Sequence, residues 1–167
     1  MTIQGKAWKY GDDINTDVIF PGKYTYTITD PKEMAEHALE DLDSEFASQV
    51  NMNDVIIAGE NFGCGSSREQ AATCLKYAGI GAVIAKSFSR IFFRNAINQA
   101  LPVIDCKDAV DYIKSGDEVK IDFEKGELLW KEKTFAFKPL PAEILDIFND
   151  GGLIPHTKKL LMTEKGE

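Results

Sequence analysis

The 167-residue chain carries 27 acidic against 19 basic residues, a net charge of −8, with 44% hydrophobic and 28% charged content. That is enough apolar chain for one buried core, and the acidic balance argues against nucleic-acid and anionic-membrane partners while leaving room for a local basic pocket that holds a small dicarboxylate. Three cysteines with no C-x-x-C pair form neither a disulfide framework nor a zinc or iron–sulfur ligand set, and no apolar signal region or membrane-length run is present, so the sequence reads as soluble and cytoplasmic.

In chain order, residues 6–10 read as a short strand followed by the turn Gly11-Asp12-Asp13. Asn15-Thr16-Asp17 leads into Val18-Ile19-Phe20, which Pro21-Gly22 stops. Residues 23–29 alternate like a strand but lie between breakers, and read as an exposed, mobile loop. Pro31 suits a first helical turn, and an acidic, solvated helix is expected over residues 31–42. Val55–Ala58 and Ala82–Ala85 are short and continuously apolar, the pattern of strands buried on both faces. Residues 71–78, ending at Gly79, read as a helix between them, so residues 55–85 form a βαβ crossover. A second helix is expected over 89–100, a third buried strand over 101–104 and a short helix over 108–114. Residues 118–123 and 128–130 flank Glu124-Lys125-Gly126 as a hairpin, which 134–137 extends. A terminal helix spans 141–149, opened by Pro141 and closed by Gly151-Gly152, and residues 156–167 read as a polar tail. The class is α/β, one domain over residues 1–167, with a mixed β-rich core and flanking helices.

The chemistry concentrates in Asn61-Phe62-Gly63-Cys64-Gly65-Ser66-Ser67-Arg68-Glu69-Gln70, between the first apolar strand and its helix. A glycine-rich turn at a helix start bares backbone N–H groups at a positive end, a place to hold an anion. Ser66 and Glu69 match a capping box, so Ser66 either caps the helix or presents its hydroxyl to a ligand. Arg68 stands where the helix dipole disfavours a cation, which suggests an anion to pair with it, and arginine grips carboxylates at two points. No hydrolase partner is found: His37 and His156 read as solvated surface histidines, Cys64 as a small buried thiol. The turn fits neither G-x-S-x-G nor a P-loop. Arg90 and Arg94, four apart, share one helix face that reads as salt-bridged exterior. Tyr24 and Tyr26 are either core alternation or a substrate-facing lip.

At these residues the chain resembles the swivelling domain of the aconitase superfamily. Residues 63–69 resemble its GxGSSRE signature, residues 13–21 its NxNTDxIIP block, and residues 87–98 with Leu101-Pro102 a third block. At this length the chain is similar to the free-standing small subunits of 3-isopropylmalate dehydratase. The resemblance implies a three-layer β/β/α fold and a hydro-lyase, active only with a separate large subunit as heterodimer or heterotetramer. It implies a [4Fe–4S] cluster on that large subunit, none on this chain, and the interconversion of 2- and 3-isopropylmalate in leucine biosynthesis. By resemblance Ser66 is the base, Arg68 binds the substrate carboxylate, and Ser67 and the Gly65 amide hold the oxyanion. The loop Tyr24-Thr25-Tyr26-Thr27 stands where relatives acting on tricarboxylates carry a YLRT pattern. Thr25, Tyr26 and Thr27 are therefore expected at the substrate, with Tyr26 in the arginine's place. The usual isopropylmalate pattern, nearer YLVY, is not matched, and Gln70 replaces a frequent histidine. Dehydratases of 2,3-dimethylmalate, citraconate or homoaconitate, and a non-catalytic anion-binding module, stand as alternatives.

Overall fold

The computed structural model describes residues 1–164. Strand β1 (Thr2–Lys9) is followed by the short helix α1 (Thr16–Ile19), a 3-10 turn (Gly22–Tyr24), α2 (Pro31–Glu36) and α3 (Phe46–Gln49). Then come β2 (Val55–Ala58), α4 (Glu69–Tyr77), β3 (Ala82–Ala85), α5 (Arg90–Asn98), β4 (Val103–Asp105) and α6 (Lys107–Tyr112). Strands β5 (Glu118–Asp122), β6 (Glu127–Trp130) and β7 (Lys133–Ala136) precede helices α7 (Ala142–Asn149) and α8 (Leu153–Glu164).

Among the described residues, seven strands form one mixed sheet in the order β4-β3-β2-β1-β5-β6-β7. Strand β1 belongs to both halves. Its residues 2–6 pair antiparallel with β5, and its residues 7–9 pair parallel with β2. The crossing is pinned by Asp54, a buried carboxylate that accepts hydrogen bonds from Lys6 N (2.9 Å), Trp8 Nε1 (3.0 Å) and Asn51 N (2.9 Å). Three donors on one buried carboxylate satisfy it, so it fixes the strand instead of destabilising the core.

Two cores follow from the sheet's two faces. Val55, Ile57, Ala82 and Ile84 of the parallel half pack against Val119, Ile121 and Leu128 of the antiparallel half. The intervening residues Ile56, Ala58, Val83 and Ala85 face the other way, into helices α1, α2, α4 and α5. The parallel strands are covered on both sides, which is why they read as unbroken apolar runs. The layers are therefore β/β/α, as expected.

Several bounds differ from the sequence reading. Strand β1 starts at Thr2, because its first half pairs with a strand more than a hundred residues away. The helix expected over 31–42 ends at Glu36. Leu39 adopts φ +56° and donates its amide to the Ile19 carbonyl, which pulls the chain onto α1 and out of helical geometry. Residues 23–29 are an exposed loop in part: Lys23, Tyr26, Thr27 and Thr29 are exposed, but a 3-10 turn opens the segment and Ile28 is buried. The polar tail is helix α8, at whose start Asp150 accepts hydrogen bonds from His156 Nδ1 and Lys159 Nζ, each 2.7 Å. Residues 165–167 of that expected tail lie outside the described residues.

Candidate functional site

The strand β2 to helix α4 connection is held from three sides. Phe62 N donates to Ser87 O (3.0 Å), Ser89 N to Phe62 O (2.9 Å), and Gly63 N to Ile14 O (2.7 Å). Thr16 N donates to Cys64 O (2.8 Å) and the buried Thr16 hydroxyl to Ser66 O (2.9 Å). The two sequence blocks 13–21 and 63–69 are thus zipped together.

Gly63 is the residue this geometry depends on. It sits at φ +77°, and a Cβ there would lie 2.2 Å from Phe92 Cγ. Phe92 is itself locked against Phe62, with ring centroids 5.1 Å apart. Gly63→Ala is expected to destabilise the chain by roughly 2–4 kcal/mol, from left-handed strain and overpacking together. A fall in the urea midpoint at unchanged slope checks it.

Ser66 does not cap α4. The cap position belongs to Arg68, whose side chain makes no capping bond. Ser66 and Ser67 are exposed, and neither hydroxyl has a hydrogen-bond partner among the described residues. The amides of Gly65, Ser66 and Ser67 likewise donate to no backbone carbonyl among those residues. Gly65 holds φ +93°, in the turn that leads into the positive end of α4. Two hydroxyls and three successive amides are thus left as unpartnered donors in this turn among the described residues.

Arg68 is not turned into bulk water. One guanidinium nitrogen, Nη1, lies 2.5 Å from Asp17 Oδ1 and donates to Thr25 Oγ1 at 3.0 Å. Asp17 is half-exposed, so the pair contributes below about 1 kcal/mol to stability; its effect is to orient the fork. Nη1 is thereby committed, while Nη2 has no protein partner among the described residues. Gly22 is packed under the pair: a Cβ there would lie 3.0 Å from Arg68 Nη1 and 3.1 Å from Asp17 Oδ1. Asp17 is the site residue the sequence reading passed over as a ligand-facing group, although it stands within the quoted N-terminal block.

Of the loop residues, the structure brings Thr25 to Arg68 and leaves the others apart. Tyr26 is 95% exposed, and the Thr27 hydroxyl bonds back to the Tyr24 carbonyl. Gln70 Nε2 lies 3.5 Å from the Thr25 carbonyl. From Thr25 a shallow groove of about 370 Å³ runs past Met34, Gln70 and Thr73.

Other expectations change. Both histidines are engaged rather than solvated: His37 Nδ1 with Glu40 Oε2 at 2.5 Å, and His156 with Asp150. Neither hydrogen-bonds Ser66 among the described residues. Arg90 and Arg94 form no ion pair among the described residues, so that face is not salt-bridged. Cys64 is partly exposed, and burial first, with Asp13 adding, pushes its thiol up, away from the thiolate a nucleophile needs. Among the described residues no helix is long and apolar enough to cross a membrane.

The family model of the aconitase C-terminal domain matches residues 11–109. A 3-isopropylmalate dehydratase small subunit of Thermodesulfovibrio yellowstonii is 51% identical over 98% of this chain and 98% of that one. The small subunit 1 of the same name from Archaeoglobus fulgidus is 52% identical over 93% and 97%. A crystal structure of 3-isopropylmalate dehydratase from Methanocaldococcus jannaschii superposes with a TM-score of 0.91, at 48% identity and full coverage of both chains.

Proposed function

The chain belongs to the aconitase C-terminal domain family, among the small subunits of 3-isopropylmalate dehydratase, and from that premise we propose that it supplies the proton-moving half of an alkyl-malate hydro-lyase. The observations that carry this reading are a Ser66 hydroxyl and amides at residues 65–67 with no hydrogen-bond partner among the described residues, in the same turn as Arg68, whose guanidinium is held by Asp17 and Thr25.

The substrate carboxylate sits on the open side of the Arg68 fork. The Ser66 oxygen takes the proton from the carbon beside that carboxylate. The electrons of the broken C–H bond form the C=C bond, and the hydroxyl on the neighbouring carbon leaves as hydroxide, which together with the proton taken up by Ser66 makes the one water released overall. Re-addition with hydroxyl and proton exchanged gives the isomer, so 2-isopropylmalate and 3-isopropylmalate interconvert. Charge that develops on the carboxylate is spread onto Arg68, the Ser67 hydroxyl and the Gly65 amide, donors already in place before the reaction. The same donors stabilise Ser66 as the oxyanion that accepts the proton. Residues 1–167 act as one swivelling unit that covers the substrate with a large subunit, in the cytoplasm.

By the family resemblance a [4Fe–4S] cluster on the large subunit supplies Lewis-acid chemistry toward the departing hydroxyl. The residues of this chain do not fit that group. Cys74 lies in the helical core, Cys106 between the sheet halves, Cys64 in the site loop, and no group of three metal-ligating side chains forms among the described residues.

The test is turnover by the chain mixed with its anaerobically reconstituted large subunit, followed by alkene absorbance. 2-Isopropylmalate should be consumed faster than a tricarboxylate such as homocitrate. A pair that ignores 2-isopropylmalate and turns over another malate overturns the substrate assignment. Tyr26 reads the side group in this account, closing on it when the partner covers the loop. Tyr26→Arg is expected to move the ratio of kcat/KM, tricarboxylate over isopropylmalate, at least tenfold, because a third carboxylate then finds a cation instead of an unpaired burial. An unmoved ratio removes Tyr26 from the selectivity element.

A further inference from the structure

Glu40 lies twenty-eight residues before the site arginine and touches none of the groups assigned to the reaction. Yet its carboxylate gathers three donors from two segments. Lys23 Nζ stands at 2.7 Å, Tyr24 Oη at 3.1 Å and His37 Nδ1 at 2.5 Å. The Tyr24 and His37 rings lie face against face, with centroids 4.0 Å apart and planes 33° from parallel. Lys23 Nζ also lies over the Tyr24 ring, 4.9 Å from its centroid. Lys23 and Tyr24 belong to the 3-10 turn that opens the selectivity loop; His37 and Glu40 belong to the turn after α2.

The clamp reaches the site through Tyr24. The Tyr24 carbonyl accepts the amides of Thr27 (3.1 Å) and Ile28 (3.0 Å), which closes the loop around it. The next residue is Thr25, whose hydroxyl accepts the Arg68 Nη1 bond at 3.0 Å. A loop fixed at Tyr24 therefore fixes the side of Arg68 that faces Asp17 and sets where Tyr26 starts from. Lys23 foremost, then His37, hold the Glu40 carboxyl down to about 2, so it stays an acceptor for all three donors at any working pH.

We propose that Glu40 is a positioning residue of the site: it clamps Lys23, Tyr24 and His37, and through them presents Thr25 to Arg68 and Tyr26 to the alkyl group of the substrate. This rests on the lyase reading above, and one arm of its test does not.

In the isolated chain, Glu40→Gln keeps the side-chain size but replaces one acceptor oxygen with a donor, so the three donors cannot all be satisfied. Amide hydrogen exchange at Thr27 and Ile28 should quicken at least tenfold, with α4 amides unchanged. In the reconstituted complex the same variant should raise KM for 2-isopropylmalate about tenfold, with kcat within threefold, and lower the preference for it over a shorter alkyl-malate. Glu40→Asp should recover part of the KM. Tyr24→Phe keeps the ring stack and loses only the hydroxyl bond; it should shift KM the same way by a smaller factor, and it stands in should Glu40→Gln fail to fold. Unchanged exchange at Thr27 and Ile28 overturns the clamp. Faster exchange with unchanged KM and preference overturns its link to the site. A wild-type pair that turns over no alkyl-malate removes the lyase reading instead, and the exchange result still decides the clamp.

Discussion

Ser66→Ala, assayed with the large subunit, is expected to lose 10²- to 10⁴-fold in kcat, the range a positioned proton-transfer group supplies, while the melting temperature and assembly stay as in the wild type. Stability and rate separate here because of where the hydroxyl stands. Arg68 occupies the cap position of α4. The bonds that hold the turn use the Ser66 carbonyl, which accepts from Thr16 Oγ1 and from the Arg68 amide, each at 2.9 Å. None of them uses the side chain. Alanine keeps all of them and removes only an exposed oxygen with no partner among the described residues, a change normally within about 0.5 kcal/mol. Had Ser66 been a cap, the same substitution would lower stability by about 1 kcal/mol and leave the rate nearly intact. A thermal melt beside a kcat measurement distinguishes the two.

Arg68→Lys is expected to lower kcat/KM about 10²-fold, mostly through weaker carboxylate binding, although the charge is kept. The guanidinium does two things at once: Nη1 is committed to Asp17 and Thr25, and the rest of the planar fork stays open. A lysine ammonium is a single point. If it follows Asp17 it leaves the substrate carboxylate unpaired. If it follows the substrate it frees the Asp17 carboxylate beside another negative charge, and like charges at such a distance repel. Steady-state kinetics on the reconstituted pair check this. A lysine variant that keeps near-normal kcat/KM would mean that the two-point grip plays no part.

The parallel half of the fold was legible because its strands are covered on both faces. Val55–Ala58 and Ala82–Ala85 could only be unbroken apolar runs, and the helix between them ends at a glycine. The antiparallel half was legible at its hairpin, where β5 alternates and Gly126 turns the chain at φ +71°. What escaped depends on partners distant in sequence. Residues 2–5 form a strand only because β5 stands beside them. Residues 37–42 leave the helix because Ile19 offers Leu39 a carbonyl. Helix α8 begins at Leu153, before the stretch read as a tail, and Asp150 at its start bonds His156 and Lys159. In the site, the residues of the glycine-rich turn announced themselves by local pattern, whereas the Asp17 side of the Arg68 pair spans 51 positions and Glu40 has no motif. A lone aspartate in the N-terminal block, facing an arginine that the helix dipole disfavours, was the one signal from which the pairing could have been guessed.

The central claim is that the Ser66 oxygen receives the proton lost from the carbon beside the carboxylate. The most direct measurement is deuterium exchange: 2-isopropylmalate is incubated with the reconstituted complex in heavy water, and recovered substrate is analysed at that carbon. The wild-type pair should incorporate deuterium at a rate comparable to turnover. The Ser66→Ala pair should still bind substrate, with a dissociation constant within a few-fold, yet show exchange reduced by at least a hundredfold. Undiminished exchange in the Ser66→Ala pair would contradict the account and place the base elsewhere.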